Sequence, residues 1–411
     1  MNHQKFADGK AESPLRLILS TVAFTFACYF VIGLPMAVLP GFVDRQLGMG
    51  PLAAGLVIGA QYLSTILSRP HAGRLADMMG AKATVTWGLG ACAGSGPFLI
   101  LAAGSQHSPG LSIAMLVCGR LILGIGESCV GTGAIAWAAG RLGGAEISRI
   151  MSWNGVATYG ALAASVPLGV WLATSDTPGQ WNPAPLGMLT IVTGIAAFAL
   201  AWPKAPAPIT AGTRSPMGRL VFRIAPYGLA LAFGSFGFGT IMTFVTLFYA
   251  ELGWSGAALA ISAFSLAFVG ARLLFATAIP RMGGVRVAAI SLAVETMGLV
   301  LLALAGDPLT AAGGAALTGL GLSLVFPSLG TESVAMFAPA DRGAAVGVFT
   351  LFLDLALACA GPVGGLIAAS GGYRHVFLWS AGASAAACLL IGAFRLSQNR
   401  QTISRTATRD P

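Results

Sequence analysis

Charged side chains are scarce in this chain. Only 9% of its 411 residues are Asp, Glu, Lys or Arg, whereas soluble domains carry roughly a quarter. Histidine is scarcer still, and the four histidines are scattered over termini and predicted loops, so they form no metal-binding group. Hydrophobic residues make up 56% of the chain. This composition excludes a soluble fold and indicates a membrane protein.

Catalytic motifs are also lacking. The sequence contains no nucleophile elbow, no metal-spaced histidine cluster and no phosphate-binding loop. The stretch "GLGACAG" at 88–94 has a loose dinucleotide-loop spacing, but it falls inside an apolar run with no strand before it, which favours helix packing. The six cysteines fall in apolar runs and are expected to be buried free thiols. The sequence predicts no enzyme, no metal site and no cofactor.

Long apolar runs are what the chain does contain. A run of about 20 residues crosses the ~30 Å hydrocarbon core as a helix. We predict twelve such spans, at 17–41, 51–70, 83–104, 111–138, 149–174, 183–203, 221–250, 256–279, 285–305, 309–337, 343–370 and 373–396. The predicted fold class is therefore an all-α membrane protein with twelve transmembrane helices.

The basic residues predict the orientation of these spans. With the N-terminus inside, Lys and Arg fall on or beside the cytoplasmic side, except for Arg45 and Arg374 outside and Arg120 within a span. This asymmetry follows the positive-inside rule, so the net charge of +9 reports topology and not a nucleic-acid partner. The polar leader is interpreted as retained, because the first span is too long for a signal peptide. We expect a monomer in the bacterial cytoplasmic (inner) membrane, with both termini cytoplasmic and the lipid bilayer as its surroundings.

The two halves of the chain resemble each other. A shift of 195 residues places "LGIGES" (123–128) on "TGLGLS" (318–323), and a shift of 203 places Arg69 on Arg272. Several matches in order at nearly one offset indicate a repeat of six spans. The predicted boundaries are a first half at 1–203, a cytoplasmic linker at 204–220 and a second half at 221–411.

Arg120 and Glu127 stand in the otherwise apolar stretch "VCGRLILGIGESCV". A charge at the centre of a membrane helix costs about 2.5–3.5 kcal/mol on insertion scales, so each must face a polar interior or a partner. Their spacing of seven residues puts them on one helix face, but a rise of about 10.5 Å is too long for an easy direct bond. We predict that they line one wall of a cavity. The alternative is that each is neutralised by a carbonyl or a neighbouring helix.

Asp354 is expected near the midplane of the eleventh span, among leucines and alanines. An acid in such surroundings suits proton exchange, so we predict that Asp354 is the main coupling acid and that Glu127 shapes the substrate site with Arg120. The alternative is an acid fixed by Arg120 or by a backbone group. Glu295, central in the ninth span, is predicted to be a bonded packing acid. Three further residues either line the cavity or join helices, namely Gln61, Asn154 and Tyr159.

Three motifs resemble signatures of the major facilitator superfamily. The stretch "GRLADMMGAK" resembles its signature loop, matched by Gly73, Leu75, Asp77, Gly80 and Lys82. Arg120, Gly124 and Gly126 resemble its second signature. The "GPVGG" stretch resembles a pattern that the family's antiporters place in the fifth span, although here it falls in the eleventh and comprises Gly361, Pro362, Gly364 and Gly365. The resemblance covers the whole chain and is nearest to bacterial drug and sugar efflux members.

The resemblance implies a fold and a mechanism. It implies two six-helix pseudo-repeats that rock about a midplane substrate site, with a small-molecule substrate and a proton gradient as the energy source. It also implies a gating role for the 73–82 loop and a helix-packing role for "GPVGG". The first hypothesis is proton-coupled efflux of a small organic solute or drug. The alternatives are a proton-coupled importer of a sugar or organic acid, a membrane sensor without transport, and a membrane enzyme, for which no motif is present.

Overall fold

The computed structural model describes residues 13–143, 146–173, 180–208, 217–337 and 342–407. Within these ranges twelve helices are long and apolar enough to cross a membrane, as predicted. We call them the first to the twelfth helix in chain order. They are Pro14–Gly33, Gly50–Met79, Ala81–Gly104, Pro109–Leu142, Arg149–Ala173, Ala184–Ala201, Leu220–Glu251, Ala257–Leu274, Gly284–Leu304, Pro308–Ala335, Ala345–Gly371 and Tyr373–Ala393.

The loop predicted at 73–82 is mostly helix, so this part of the prediction is wrong. The second helix passes through Pro70 and continues to Met79, which places Gly73 and Asp77 in its last turns. A proline removes one hydrogen bond but does not have to end a membrane helix, because neighbouring groups satisfy the freed carbonyl. Only Gly80 separates the second helix from the third, with a φ of 89° that favours glycine. Lys82 lies in the first turn of the third helix.

Two predicted spans are interrupted by irregular turns. The first helix ends at Gly33 and is followed by a short helix, Leu39–Gly41, and one turn of π-helix, Phe42–Gln46. The tenth helix consists of Pro308–Leu322 and Val325–Ala335. Pro327 explains this second break, because it has no N–H to donate to the carbonyl four residues before it.

The backbone repeats between the halves. Gly80 joins the second helix to the third with φ 89° and ψ 154°, and Gly283 precedes the ninth helix with φ 81° and ψ 148°. Arg69 and Arg272, which the sequence repeat aligns, lie in the second helix of their respective halves. The two six-helix pseudo-repeats are therefore present. Residues 209–216 of the predicted linker lie outside the described residues, so the half boundaries remain predictions.

The halves meet along two helix pairs. The second helix packs against the eleventh, and the fifth packs against the eighth. We call the face of the bundle where the first helix begins the terminal face and the opposite face the distal face. Gly55 and Gly361, near the distal ends of their helices, are so close that a Cβ on either would overlap the carbonyl oxygen of the other. Small residues permit this backbone contact.

We call the contact between the second and eleventh helices and that between the fifth and eighth helices the two seams. Two of the contacts between the halves lie on the distal side. Besides the glycine contact, the Tyr373 hydroxyl donates to Asp44 across the halves at 3.2 Å. Over the described residues, the fourth and tenth helices make no extensive contact with the opposite half. The bundle is therefore held together between its halves mainly by the distal parts of the second and eleventh helices and by the fifth and eighth helices.

The cysteines differ in part from the expectation. All six are free, but Cys118 is exposed on the outside of the bundle, and Cys359 and Cys388 are half-buried. An apolar run alone does not show which of its residues face lipid, because both the protein interior and the bilayer core accept apolar side chains.

We predict that Gly361→Ala destabilises the seam. The added Cβ overlaps the Gly55 carbonyl, and overpacking of this kind costs about 1–3 kcal/mol. The measurement is thermal unfolding of the purified protein in detergent. The matched control is Gly347→Ala in the same helix, where an added Cβ meets nothing within 4 Å; its effect should stay within about 0.5 kcal/mol. Equal midpoints for the two variants would contradict the tight contact.

Candidate functional site

Glu127 is the centre of a buried hydrogen-bond cluster in the first half. Its side chain is 3% exposed. One carboxylate oxygen accepts from the Tyr29 hydroxyl at 3.0 Å, and the other accepts from Gln61 Nε2 at 2.9 Å. The Thr65 hydroxyl lies 3.2 Å from that second oxygen, and its single proton is shared with the Gln61 and Gly124 carbonyls at 3.1 Å. These three donors come from the first and second helices. All are neutral, so Glu127 has hydrogen bonds but no cation in direct contact among the described residues.

Gln61 connects Glu127 to Arg120. Its amide oxygen accepts from Arg120 Nη1 at 2.5 Å, while its nitrogen donates to Glu127. Gly124 makes this arrangement possible, because a Cβ there would overlap the Gln61 carbonyl and push the second and fourth helices apart. The expectation that Arg120 and Glu127 share a face without a direct bond therefore agrees with the structure. The side-chain amide of Gln61, in the second helix, links them.

Arg120 and Glu127 face different surroundings in this structure, so a cavity wall shared by the two stays a prediction. Arg120 bounds a narrow cavity between the first, third, fourth and sixth helices, all in the first half, with room for about one water molecule. Ser95 and Thr190 also line it. Glu127 instead lies toward the seam between the halves, near Arg69 and Asp354. The side chains diverge because they are long and their helix has different neighbours at the two levels.

Asp354 forms an ion pair across the halves. Arg69 Nε and Nη2 donate to its two carboxylate oxygens at 2.5 and 2.9 Å. The Asp354 side chain is 4% exposed and that of Arg69 is 17% exposed. A bidentate pair of this kind combines charge with fixed geometry. The partner is Arg69 of the second helix, so neither the expected apolar surroundings nor the alternative of a bond to Arg120 describes Asp354.

Sequence reasoning missed the role of Arg69. It placed this residue beside the cytoplasmic side, because the second span was predicted to end at 70. The structure places Arg69 ten residues before the end of the helix at Met79. One signal pointed to it, namely the alignment of Arg69 with Arg272 in the repeat. Two neutral partners of Glu127, Tyr29 and Thr65, gave no signal, because a hydroxyl in a membrane helix usually bonds its own backbone.

Tyr159 lies at the other seam, between the fifth and eighth helices. Its ring stacks on that of Phe268, with 3.5 Å between the centroids, and it also contacts Phe238 and Phe264. The Arg272 guanidinium lies over the Phe268 ring at 5.3 Å. Tyr159 is therefore in the helix contact between the halves. We call Tyr159, Phe238, Phe264 and Phe268 the aromatic cluster.

Asn154 is a helix contact within the first half. Its side-chain oxygen accepts from the Thr25 hydroxyl of the first helix at 2.8 Å. Of the six residues predicted for the substrate and proton pathway, the structure thus brings Gln61, Arg120 and Glu127 together. Asp354 is bonded to Arg69, and both lie near Glu127. Asn154 and Tyr159 lie on the fifth helix, apart from this network.

Glu295 lies inside the second half and is completely buried. It faces Gly234 and Gly237 of the seventh helix. Neither carboxyl oxygen has a hydrogen-bond partner within the described part of the chain, and the nearby Ser384 hydroxyl donates to the Leu292 carbonyl at 3.2 Å. The expected position agrees with the structure, and the Ser384 hydroxyl lies close to the carboxyl, so the expected bond stays a prediction.

The glycine motif of the eleventh helix faces two neighbours. Gly361 and Gly365 lie against the second helix, and Pro362 touches Gly59 of the same helix. Gly364 faces the Phe244 ring of the seventh helix. These contacts agree with a packing role. In the predicted gating loop, Lys82 Nζ donates to the Trp202 carbonyl at 2.6 Å, which ties the start of the third helix to the end of the sixth.

We predict a strong coupling between Arg69 and Asp354 in stability. Arg69→Ala leaves a buried carboxylate without its cation, which costs about 3–5 kcal/mol. Asp354→Ala leaves the arginine unpaired in the same way. The double variant should be more stable than the sum of the two effects implies, as a double-mutant cycle in detergent will show. Additive effects would mean that the ion pair does not form in solution.

Comparisons with known proteins agree with this architecture. The sequence matches the profile of the Major Facilitator Superfamily over residues 21–283 and 227–410. It is 50% identical over 373 residues to an uncharacterised MFS-type transporter of Burkholderia mallei (strain SAVP1), which covers 91% of this chain and 90% of that protein. A similar transporter of Pseudomonas aeruginosa (strain LESB58) is 48% identical over 377 residues, 92% of each chain.

The fold is shared with solved transporters. The structure of an E. coli fucose:proton symporter aligns with a TM-score of 0.67 at 17% identity, over 92% of this chain and 98% of that one. A nucleoside transporter aligns with a TM-score of 0.71 at 16% identity, over 92% and 99%. The chain therefore belongs to the major facilitator superfamily, a family of membrane transporters.

Proposed function

We propose that this protein is a proton-coupled secondary transporter that exports a small organic solute from the cytoplasm by alternating access. Family members carry small molecules across a membrane and are in general not enzymes. The proposal adds the proton as coupling ion, the outward direction and a place in the bacterial inner membrane with cytoplasmic termini. The direction rests on the resemblance to efflux members, and the orientation rests on the positive-inside rule.

The observation that carries the proposal is the ion pair between Arg69 and Asp354. It joins helices of opposite halves, so a rocking motion that separates these helices must break it. Breaking a buried pair leaves two charges uncompensated, at a cost of about 3–5 kcal/mol. The charge on a neighbouring acid changes that cost, because a nearby carboxylate attracts Arg69 and repels Asp354. An acid close to the pair can therefore link proton binding to the opening of the seam.

We assign the proton to Glu127 and the link between the halves to Asp354. The sequence analysis predicted the reverse, on the expectation that Asp354 had apolar neighbours. In the structure Asp354 contacts a cation through both oxygens, which favours the charged form. Glu127 contacts only neutral donors and lies near Asp354. Protonation of Glu127 removes its repulsion of Asp354 and alters the hydrogen bonds to Tyr29 and Gln61.

The test is transport in vesicles of known orientation. Purified protein is reconstituted into liposomes that contain a pH-sensitive dye, and a panel of dyes, sugars, organic acids and herbicide-like anions is added in turn. Export coupled to protons predicts that a substrate gradient drives protons in the opposite direction. Proton movement in the same direction as the substrate would establish the importer instead, and substrate flux without protons would remove the coupling.

Variants of the two acids should behave differently. Glu127→Gln resembles the protonated state, so we expect exchange of substrate across the membrane with at least a tenfold loss of accumulation against a pH gradient. Asp354→Asn weakens the contact with Arg69 and should slow both exchange and accumulation. The measurement is exchange and uphill uptake of one substrate by each variant. If the Gln variant still accumulates substrate and the Asn variant only exchanges it, the two assignments must be reversed.

Arg120→Ala should abolish transport while the protein remains folded in the membrane. The change leaves the Gln61 amide oxygen without its donor. Glu127 then loses the hydrogen-bonded connection through Gln61 to the arginine. Arg120→Lys should not restore transport, because an ammonium group lacks the planar fork of arginine. Expression, gel-filtration profile and uptake are measured together. Normal uptake by the Ala variant would show that the chain through Gln61 has no part in transport.

A further inference from the structure

Two arginines occupy matching positions in the two halves, but only one has an acid. Arg69 pairs with Asp354. Arg272, its repeat mate in the eighth helix, is 7% exposed. Within the described residues Arg272 has no carboxylate at ion-pair distance, and its Nε has no hydrogen-bond partner. The residue that aligns with Asp354 in the first half is Tyr159. The contact between the fifth and eighth helices therefore has an arginine, as the contact between the second and eleventh helices has, but among the described residues no acid pairs with it.

The surroundings of Arg272 are aromatic and come from both halves. The guanidinium lies over the Phe268 ring, 5.3 Å from its centroid. The Tyr159 ring stacks on the same Phe268 ring, with 3.5 Å between the two centroids. Phe238 and Phe264 pack beside them, with ring centroids 5.7 Å apart. Gly155 of the fifth helix lies beside the guanidinium, and a Cβ there would be in ordinary contact with the guanidinium carbon at 3.5 Å. The aromatic cluster and Arg272 form one continuous surface at the seam.

A packing role does not account for this arginine. A cation over an aromatic ring gains about 0.5–2 kcal/mol. Arg272 lies in the last turn of the eighth helix but is buried, and a buried charge without a counter-charge costs several kcal/mol. Glu295 does not compensate it, because that carboxyl lies against the seventh helix and has no basic partner within the described ranges. Arg69 is neutralised by Asp354, whereas Arg272 has no carboxylate at ion-pair distance within the described ranges.

We propose that Arg272 and the aromatic cluster bind the transported solute, and that this solute is an organic anion with an aromatic ring, such as an aryl carboxylate. The inference rests on the proposed function and names its substrate class. The solute carboxylate pairs with Arg272 as Asp354 pairs with Arg69, because the guanidinium fork matches a carboxylate in two parallel bonds. The solute ring packs against Tyr159 and Phe268, an offset or edge contact that adds to affinity.

The positive charge of Arg272 also determines which solutes the site excludes. An amine of the same size is repelled by Arg272, and a neutral amide leaves the buried guanidinium without a counter-charge. Sites built to pair a polar group discriminate strongly against analogues that lack it, because the group of the protein is then buried unpaired. The expected order of affinity is carboxylate, then amide, then amine.

Binding is measured by isothermal titration of the purified protein in detergent with benzoate, phenylacetate and indole-3-acetate. The matched amides and amines of the same rings serve as neutral and cationic controls. At least one carboxylate should bind at least tenfold more tightly than its amide. Arg272→Gln should lose at least tenfold in affinity for that carboxylate. The control Arg223→Gln removes an exposed arginine that lies over Phe337 and should leave the affinity unchanged.

A second readout separates binding from folding. Arg69→Gln breaks an ion pair and should lower the unfolding midpoint, whereas Arg272→Gln removes an unpaired buried charge and should keep or raise it. Binding of none of the carboxylates, equal binding of the amides, or full affinity in Arg272→Gln would each overturn the inference. A fall in stability of Arg272→Gln equal to that of Arg69→Gln would likewise show that Arg272 has a structural partner.

A failure of the proposed function can be distinguished from a failure of the proposed substrate class. If a neutral sugar or a cationic dye drives proton exchange and no aryl carboxylate binds, the substrate class is wrong and proton-coupled transport stands. If carboxylates bind in a manner that depends on Arg272 but no proton moves with them, the binding site stands and the coupling to protons is wrong.

Discussion

The ion pair of Arg69 and Asp354 joins the two halves, with the aspartate almost fully buried and the arginine 17% exposed. A buried charge is tolerated only when another charge or several hydrogen bonds compensate it. The other buried polar groups near this seam follow from the same constraint. Glu127 has three hydrogen-bond donors, and Gln61 provides one of them while accepting from Arg120. Separating the helices at this contact would break the pairing of these groups, which is why the proposed mechanism couples it to protonation.

The backbone is repeated between the halves, but the chemistry is not. Gly80 and Gly283 make the same turn, and Arg69 and Arg272 occupy matching helices. Asp354, however, aligns with Tyr159. This difference gives one seam a fixed anion and the other an aromatic surface with an unpaired cation. Under the proposed mechanism, the halves rock on this symmetric backbone, and the unequal side chains are what would make one contact respond to protons and the other to a solute.

Glycine has a direct part in building the polar cluster. Gly124 brings the second and fourth helices close enough for Gln61 to reach both Arg120 and Glu127, and Gly55 with Gly361 brings the second and eleventh helices together beside the ion pair. Side chains of Gln, Asp and Arg reach only a few ångströms, so the helix spacing decides which of them bond. Packing of small residues thereby determines the electrostatics of the seam.

The sequence by itself determined the twelve helices, the repeat and the family, because apolar length and periodic matches depend only on the chain. It also pointed to Arg120, Glu127 and Asp354, since a charge in an apolar run is costly wherever it ends up. Only the tertiary structure decided their partners. Arg69 proved to be the partner of Asp354, and Gln61 the link between Arg120 and Glu127, because these contacts join residues from different helices. The helix after Pro70 was decided by the fold as well, since neighbouring helices compensate a proline in ways that a local sequence does not reveal.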